Sequence, residues 1–146
     1  VAATIYFAYS ISGLFSSANV GEALGDVIDS MNLMGWQVAI FIPVFTMFLG
    51  MFLPGSSQIA IFGMGIVGAL IAVGINPLLA AGILPAITGS MEGMTPPLAL
   101  SMYTAMGISG SEIKRTSKLA LVWVFAHLLV AILILLKIIP VPFIGG

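Results

Sequence analysis

Between Asp29 and Glu112 the chain carries one charged side chain, Glu92, set in the stretch GSMEGMTPPLAL from Gly89 to Leu100. An uncharged run of this extent restricts the fold severely. In lipid every backbone polar group must be satisfied internally, and the long apolar segments here read as membrane helices. The composition agrees, with 60% hydrophobic and 6% charged residues against roughly a quarter charged in a soluble domain. The expected class is therefore an all-α integral membrane protein surrounded by lipid bilayer. Its 17 Gly and 8 Pro are residues that membrane helices tolerate where neighbours re-satisfy the backbone, so broken or closely packed helices are expected.

A crossing needs about 20 mostly apolar residues. Residues 1–20 supply one such span, interrupted by Ser10, Ser12, Gly13, Ser16 and Ser17. The serines there suit interhelical hydrogen bonding. GEALGDVIDSMN, Gly21 to Asn32, gathers Glu22, Asp26 and Asp29 and reads as an aqueous or interfacial connector. Residues 33–75 are apolar around an uncharged break, PGSSQ, at Pro54 to Gln58. A water-bathed turn usually collects charge, whereas hydroxyl, amide and backbone groups suit burial among helices. The favoured reading is a helical hairpin with its tip at 53–58; two ordinary spans joined by a short loop remain the alternative.

Residues 78–109 contain two apolar stretches, each too short to cross alone at ~1.5 Å per residue. Laid end to end they make one crossing with a break at 92–97. Pro96 and Pro97 remove two backbone donors and disfavour helix in the residue before each, leaving carbonyls near Gly93 and Met94 without helical partners. SGSEIKRTSK, Ser109 to Lys118, holds three of the four cationic residues, so by the positive-inside rule that loop is cytoplasmic. Residues 119–137 form the last span. Counting back puts Asn76 and Glu22 on the outer side. The chain opens on Val1 without a basic segment leading into an apolar core, which gives no signal peptide to set aside; it reads as a piece of something longer, for which partner segments are expected.

Few groups are available for chemistry. The formal net charge of -1 gives no basic footprint for nucleic acid, and the absence of Cys removes disulfides, thiolate catalysis and Cys-based metal sites. No nucleophile, base and acid set or phosphate-cradling loop is visible, so an enzyme is not expected and no cofactor is implied. Glu92 is the sharpest residue, because an ionisable group in a membrane segment is by default a functional hypothesis: it could bind a proton or offer oxygens to a cation. Its bland alternative is hydrogen bonding to free backbone donors near the prolines. Thr95 and the free carbonyls around it are what a small hard cation requires, and Ser56 and Ser57 offer the same groups at the other break. Two interruptions in neighbouring apolar segments point to a transporter's central site. His127, alone on the last span, is expected to be satisfied by a polar group elsewhere. The Gly21/Gly25 and Gly89/Gly93 pairs have GxxxG spacing, a weak signal in a chain this rich in Gly.

FLGMFLPGSSQ at Phe48 to Gln58 and GMTPPLALSMYTAMGISG at Gly93 to Gly110, taken in order, resemble the large membrane subunit of TRAP transporters, the tripartite ATP-independent periplasmic carriers, and most closely the C-terminal region of the fused, TAXI-associated kind. The resemblance spans nearly the whole chain. It implies one inverted-repeat half of an elevator-type secondary transporter, with a helical hairpin and a discontinuous helix meeting at the substrate and sodium sites. It implies sodium as coupling ion, with Ser56, Ser57 and Thr95 as sodium or substrate contacts; taken with the other groups at the two breaks, the expected sodium contacts are Gly55, Ser56, Gly93, Met94 and Thr95, and the expected substrate contacts are Ser56, Ser57, Glu92, Thr95 and Pro96. The implied partners are the remaining permease repeat or a small membrane subunit, a periplasmic substrate-binding protein and an organic-acid substrate. The implied location is the bacterial inner (cytoplasmic) membrane, as a multi-pass protein. Glu92, just before Gly93, departs from the family pattern. A fixed negative charge would repel an anionic substrate, so a proton-coupled carrier using Glu92 and a non-transporting assembly subunit stand as alternatives.

Overall fold

The computed structural model describes residues 17–142 together with Tyr6, Ser10 and residues 13–15. Among the described residues the chain is all helical: α1 Val20–Ser30, α2 Gly35–Gly50, α3 Gly55–Ala72, α4 Pro77–Met94, α5 Leu100–Ser109 and α6 Ile113–Leu135. Most of the first expected span, with Ser12 and Ser16, lies outside the described residues, as do the side chains of Glu22 and Asp29.

Each boundary has a local cause. Helix α2 ends at Gly50, and Pro54, lacking an N–H, stands as the N-cap of α3. The hairpin tip is thus Met51–Pro54, four residues by number, while Gly55, Ser56, Ser57 and Gln58 form the first turn of α3. This differs from the expected PGSSQ turn because proline is well placed just ahead of a helix. At the other end of α3 the backbone turns on Gly74, whose φ of 85° suits a residue without Cβ, and the Ile75 N–H donates to the Leu70 carbonyl at 3.0 Å. Asn76 then caps α4 by accepting from the Leu78 N–H at 2.9 Å, with Pro77 in the first helical position.

Two helices are long and apolar enough to cross a membrane by length and composition: α3, mean hydropathy 1.6, and α6, mean hydropathy 2.5. Helices α3 and α4 pack against each other along the centre, α2 lies against both, α6 packs on α2 and α4, and α5 touches α4 and α6. One core joins α2, α3, α4 and α6, including Val38 and Ile42 of α2, Ile66 and Leu70 of α3, Ile83, Ile87 and Met91 of α4, and Val124 and Leu135 of α6, while Met102 of α5 packs with Ala99 and Ala120 in a second, smaller cluster. The outward faces remain apolar: Trp123 and Val122 are both 67% exposed. A soluble protein rarely leaves such a face bare; in lipid it needs no cover.

The stretch expected to be an aqueous connector is helix α1, packed on α3. Its Gly21 and Gly25 make this possible. A Cβ on Gly21 would lie 1.8 Å from the Ile61 carbonyl oxygen, and one on Gly65 would lie 2.6 Å from the Gly21 carbonyl oxygen. The GxxxG pair that looked weak in the sequence is the contact surface of a close helix crossing. Of the serines of the first span, Ser10 and Ser17 are described, and their bonds are local rather than interhelical. Ser10 and Ser17 donate to carbonyls of their own segment, Tyr6 and Leu14, each at 2.9 Å, which is the local alternative open to a helical hydroxyl.

Candidate functional site

The hairpin tip and the proline break meet. The Leu98 N–H, released from α4 by the prolines, donates to the Met51 carbonyl at 3.1 Å, tying one interruption to the other through backbone alone. A second tie uses a side chain: the Gly55 N–H donates to Glu92 Oε2. The first residue of α3 is therefore fixed to the last turn of α4.

Helix α4 runs through Glu92 and Gly93 to Met94, and the non-helical residues are Thr95 to Ala99. The expected break at 92–97 is displaced because a proline disturbs the residue before it and the bonds its own N–H would make, leaving the preceding turn intact. Thr95 still donates its N–H to the Met91 carbonyl at 3.0 Å, and its hydroxyl donates to the same carbonyl. The consequence falls on three acceptors. In a continuous helix the carbonyls of Glu92, Gly93 and Met94 would receive the N–H groups of residues 96, 97 and 98. Two of those are prolines and the third bonds Met51. Three oxygens at the negative end of α4 thus lack their helical donors.

The tip has the opposite polarity. The first turn of α3 leaves N–H groups without helical acceptors. Glu92 takes that of Gly55, and Gln58 N–H donates to the Pro54 carbonyl at 3.0 Å. Ser56 and Ser57 provide the remaining first-turn donors, with their hydroxyls beside them. Ser56 is exposed and Ser57 is buried. Thr95 is 4% exposed, Glu92 and Pro96 are half-buried, and Gly93 is buried. The sequence-expected site residues thus fall in two places, Gly55, Ser56 and Ser57 in the first turn of α3 and Glu92, Gly93, Met94, Thr95 and Pro96 at the end of α4 and the start of the break, one a helix N-terminus and the other a helix C-terminus.

Small residues let these segments approach. A Cβ on Gly55 would come within 3.1 Å of both Glu92 Oε2 and Thr88 Oγ1, one on Gly50 would lie 2.9 Å from Met91 Cβ, and one on Gly93 would lie 2.8 Å from Ser101 Oγ. Helix α5 starts from Ala99, a buried residue at φ 33°, in the left-handed region that L-residues other than Asn and Asp avoid. Strain held at one residue of the break is a feature of sites that move or bind.

Two residues of this region were not singled out by the sequence reading. Gln58, fully buried, donates its amide to the Leu53 carbonyl at 3.0 Å and so braces the tip from inside, while its Oε1 has no partner. Thr88, also fully buried, leaves Oγ1 unpartnered. The signal for Thr88 was its position one helical turn before Glu92. His127 Nε2 meets Ser90 Oγ at 3.1 Å, joining α6 to α4 away from the tip. Among the described residues no cluster of His, Asp and Glu suited to a transition metal occurs. Two cavities, of about 510 and 520 Å³, lie at the Asn76 end of α4 and beside Gly21, away from the meeting of the breaks; an open pair of helix ends on one face of a helical half needs no enclosed cavity of its own.

No curated protein and no solved structure matches the chain. The family model for the tripartite ATP-independent periplasmic transporter, DctM component, matches residues 1–141. With two docked interruptions in an apolar helical chain and a match over nearly its whole length, this protein belongs to the DctM family of membrane components of TRAP transporters.

Proposed function

We propose that the chain is part of a sodium-coupled secondary transporter that imports an organic acid delivered by a periplasmic binding protein. It acts as one inverted-repeat half of an elevator-type permease, multi-pass in the bacterial inner membrane, with the loop at Lys114 on the cytoplasmic side. The observation that carries this reading is the meeting of two helix ends of opposite polarity, held by the bonds Leu98 to Met51 and Gly55 to Glu92. Sodium and a carboxylate need opposite ends of a dipole, and both are available within one small region.

The donor set suits a small hard cation. The carbonyls of Gly93 and Met94, with that of Glu92, are oxygen acceptors freed by Pro96 and Pro97, and the Thr95 hydroxyl keeps lone pairs after donating to Met91. The Ser56 hydroxyl can complete the shell from the tip, and Gly55 contributes by its closeness rather than by an acceptor. On the other side, the N–H and hydroxyl groups of Ser56 and Ser57 suit a substrate carboxylate at the start of α3, while Pro96 shapes the wall between the two. The second repeat, or a small membrane subunit, closes the open face.

The test is uptake by the complete transporter reconstituted in vesicles, with its binding protein. Thr95→Val and Ser56→Ala should each lower sodium-driven uptake at least tenfold, with part of the loss recovered at raised sodium. Undiminished uptake in both variants sinks the site.

A further inference from the structure

We infer that Glu92 is the latch of the hairpin tip: its carboxylate holds the first residue of α3 on the end of α4, and the tip opens when that bond is released. The inference rests on the transport reading only in supposing that the tip opens at some stage.

Four observations carry it. First, a carboxyl in a membrane segment without a cation is costly, and the four cations of the chain, Lys114, Arg115, Lys118 and Lys137, are all exposed and lie outside the tip and α4. What offsets the charge is the N-terminus of α3, whose Gly55 N–H the carboxylate accepts. Glu92 is thereby engaged within the chain rather than left as an uncompensated charge.

Second, Gly55 is fitted to this contact. A Cβ there would press on Thr88 C at 3.0 Å and on Glu92 Oε2 and Thr88 Oγ1 at 3.1 Å, so the bond depends on the bare backbone of one residue. Third, Thr88 differs from five hydroxyls elsewhere in the helices. Thr46, Ser90, Thr104, Thr116 and Ser117 each donate to the carbonyl four residues back. Thr88, fully buried, does not; its Oγ1 is unpartnered and lies against Gly55. Glu92 and Thr88, one turn apart, thus present two polar groups to the same residue of the tip, one of them engaged and one free. A buried hydroxyl without a partner is uncommon, and this one stands at the contact that Glu92 makes with the tip. Fourth, among the described residues the other hydrogen bond between tip and break is a backbone one, Leu98 to Met51, so removing the carboxylate leaves that bond and the buried Leu53 side chain to hold the tip.

Glu92 is on this account a positioning residue for the tip. Cysteine labelling tests it, because the chain has no Cys and Ser57 is 5% exposed in the closed tip. In the complete transporter, with cysteines elsewhere replaced, Ser57→Cys is labelled with a small thiol reagent in the absence of sodium and substrate. Adding Glu92→Ala should speed labelling about tenfold or more, the effect expected of losing a charge-assisted hydrogen bond. Glu92→Gln, whose amide oxygen can still accept from Gly55, should fall between Ala and the parent. Ala131→Cys, buried in α6, should keep its slow rate in all three backgrounds. Unchanged labelling of Ser57→Cys, equal labelling in the Ala and Gln variants, or acceleration at Ala131→Cys as well would overturn the latch. Because no transport is measured, a failed uptake test of the sodium site leaves this outcome separate.

Discussion

Gly50→Ala is the substitution whose cost follows most directly from the packing. Gly50 closes α2 where it passes α4, and a Cβ there would lie 2.9 Å from Met91 Cβ and 3.4 Å from both Glu92 N and Gln58 Nε2. Carbon atoms in contact sit about 3.5–4.0 Å apart, so α2 and α4 must separate by roughly 0.6–1 Å. Overpacking of that kind costs ~1–3 kcal/mol. Against it stands the backbone gain of replacing a helical glycine by alanine, about 0.5–1 kcal/mol, so the net loss lies between about 0 and 2.5 kcal/mol, centred near 1. Gly68→Ala is the matched control. It places the same methyl on α3 with nothing within 4 Å, and should keep the whole gain. The assay is the fraction of detergent-solubilised complete transporter that stays monodisperse after stepwise heating. Gly50→Ala should melt below the parent and Gly68→Ala at or above it; a Gly50→Ala midpoint equal to or above that of Gly68→Ala would refute the docking of α2 on the end of α4.

Other substitutions probe separate contacts. Gly21→Ala drives a methyl into the Ile61 carbonyl at 1.8 Å, whereas a Cβ on Gly25 meets only Gly65 Cα at 3.6 Å; the first should cost ~3 kcal/mol, at the top of the overpacking range, and the second little, as read by the same heating series. Ala99→Gly should shift the midpoint by less than the equivalent of about 1 kcal/mol, because relief of the left-handed backbone, ~1–2 kcal/mol, is opposed by loss of a buried methyl, ~0.8 kcal/mol. Ala99→Val, which adds bulk at φ 33°, should lower it clearly. His127→Leu removes the bond to Ser90, but Ser90 Oγ keeps the Ala86 carbonyl, so a loss of ~0.5–1.5 kcal/mol in stability with unchanged sodium-driven uptake is expected; a collapse of uptake would give His127 a role in coupling.

The prolines made both interruptions legible where they stand beside small polar residues, in PGSS and GMTPP, whereas Pro43 and Pro85 lie within α2 and α4 without ending them. The limits of the interruptions were less legible. The sequence reading put Glu92 inside the unwound segment, yet α4 persists through Met94 since nothing removes the donors of residues before Pro96. Whether an acid is unwound or helical decides what it can reach, and at one turn beyond Thr88 it reaches Gly55. The charges of residues 22–29 suggested water, but the bare backbones of Gly21 and Gly65 decide the packing of α1, and only the register between two helices reveals that fit. Gln58 and Thr88 were silent for a similar reason. A buried amide or hydroxyl inside an apolar segment looks like any other until the partner it braces, Leu53 or Gly55, is brought beside it from a distant part of the chain.

Joining the two interruptions covalently tests most directly whether they form one site. Leu98 donates to Met51 across the interface, and the absence of native Cys makes the double variant Met51→Cys, Leu98→Cys the only pair in the chain. In the complete, otherwise cysteine-free transporter in vesicles, mild oxidation should form an intrachain disulfide that sodium with substrate protects or accelerates, and uptake should change with the cross-link and recover on reduction. No cross-link with or without sodium and substrate, in a transporter that remains active, would contradict the meeting of tip and break on which the account rests.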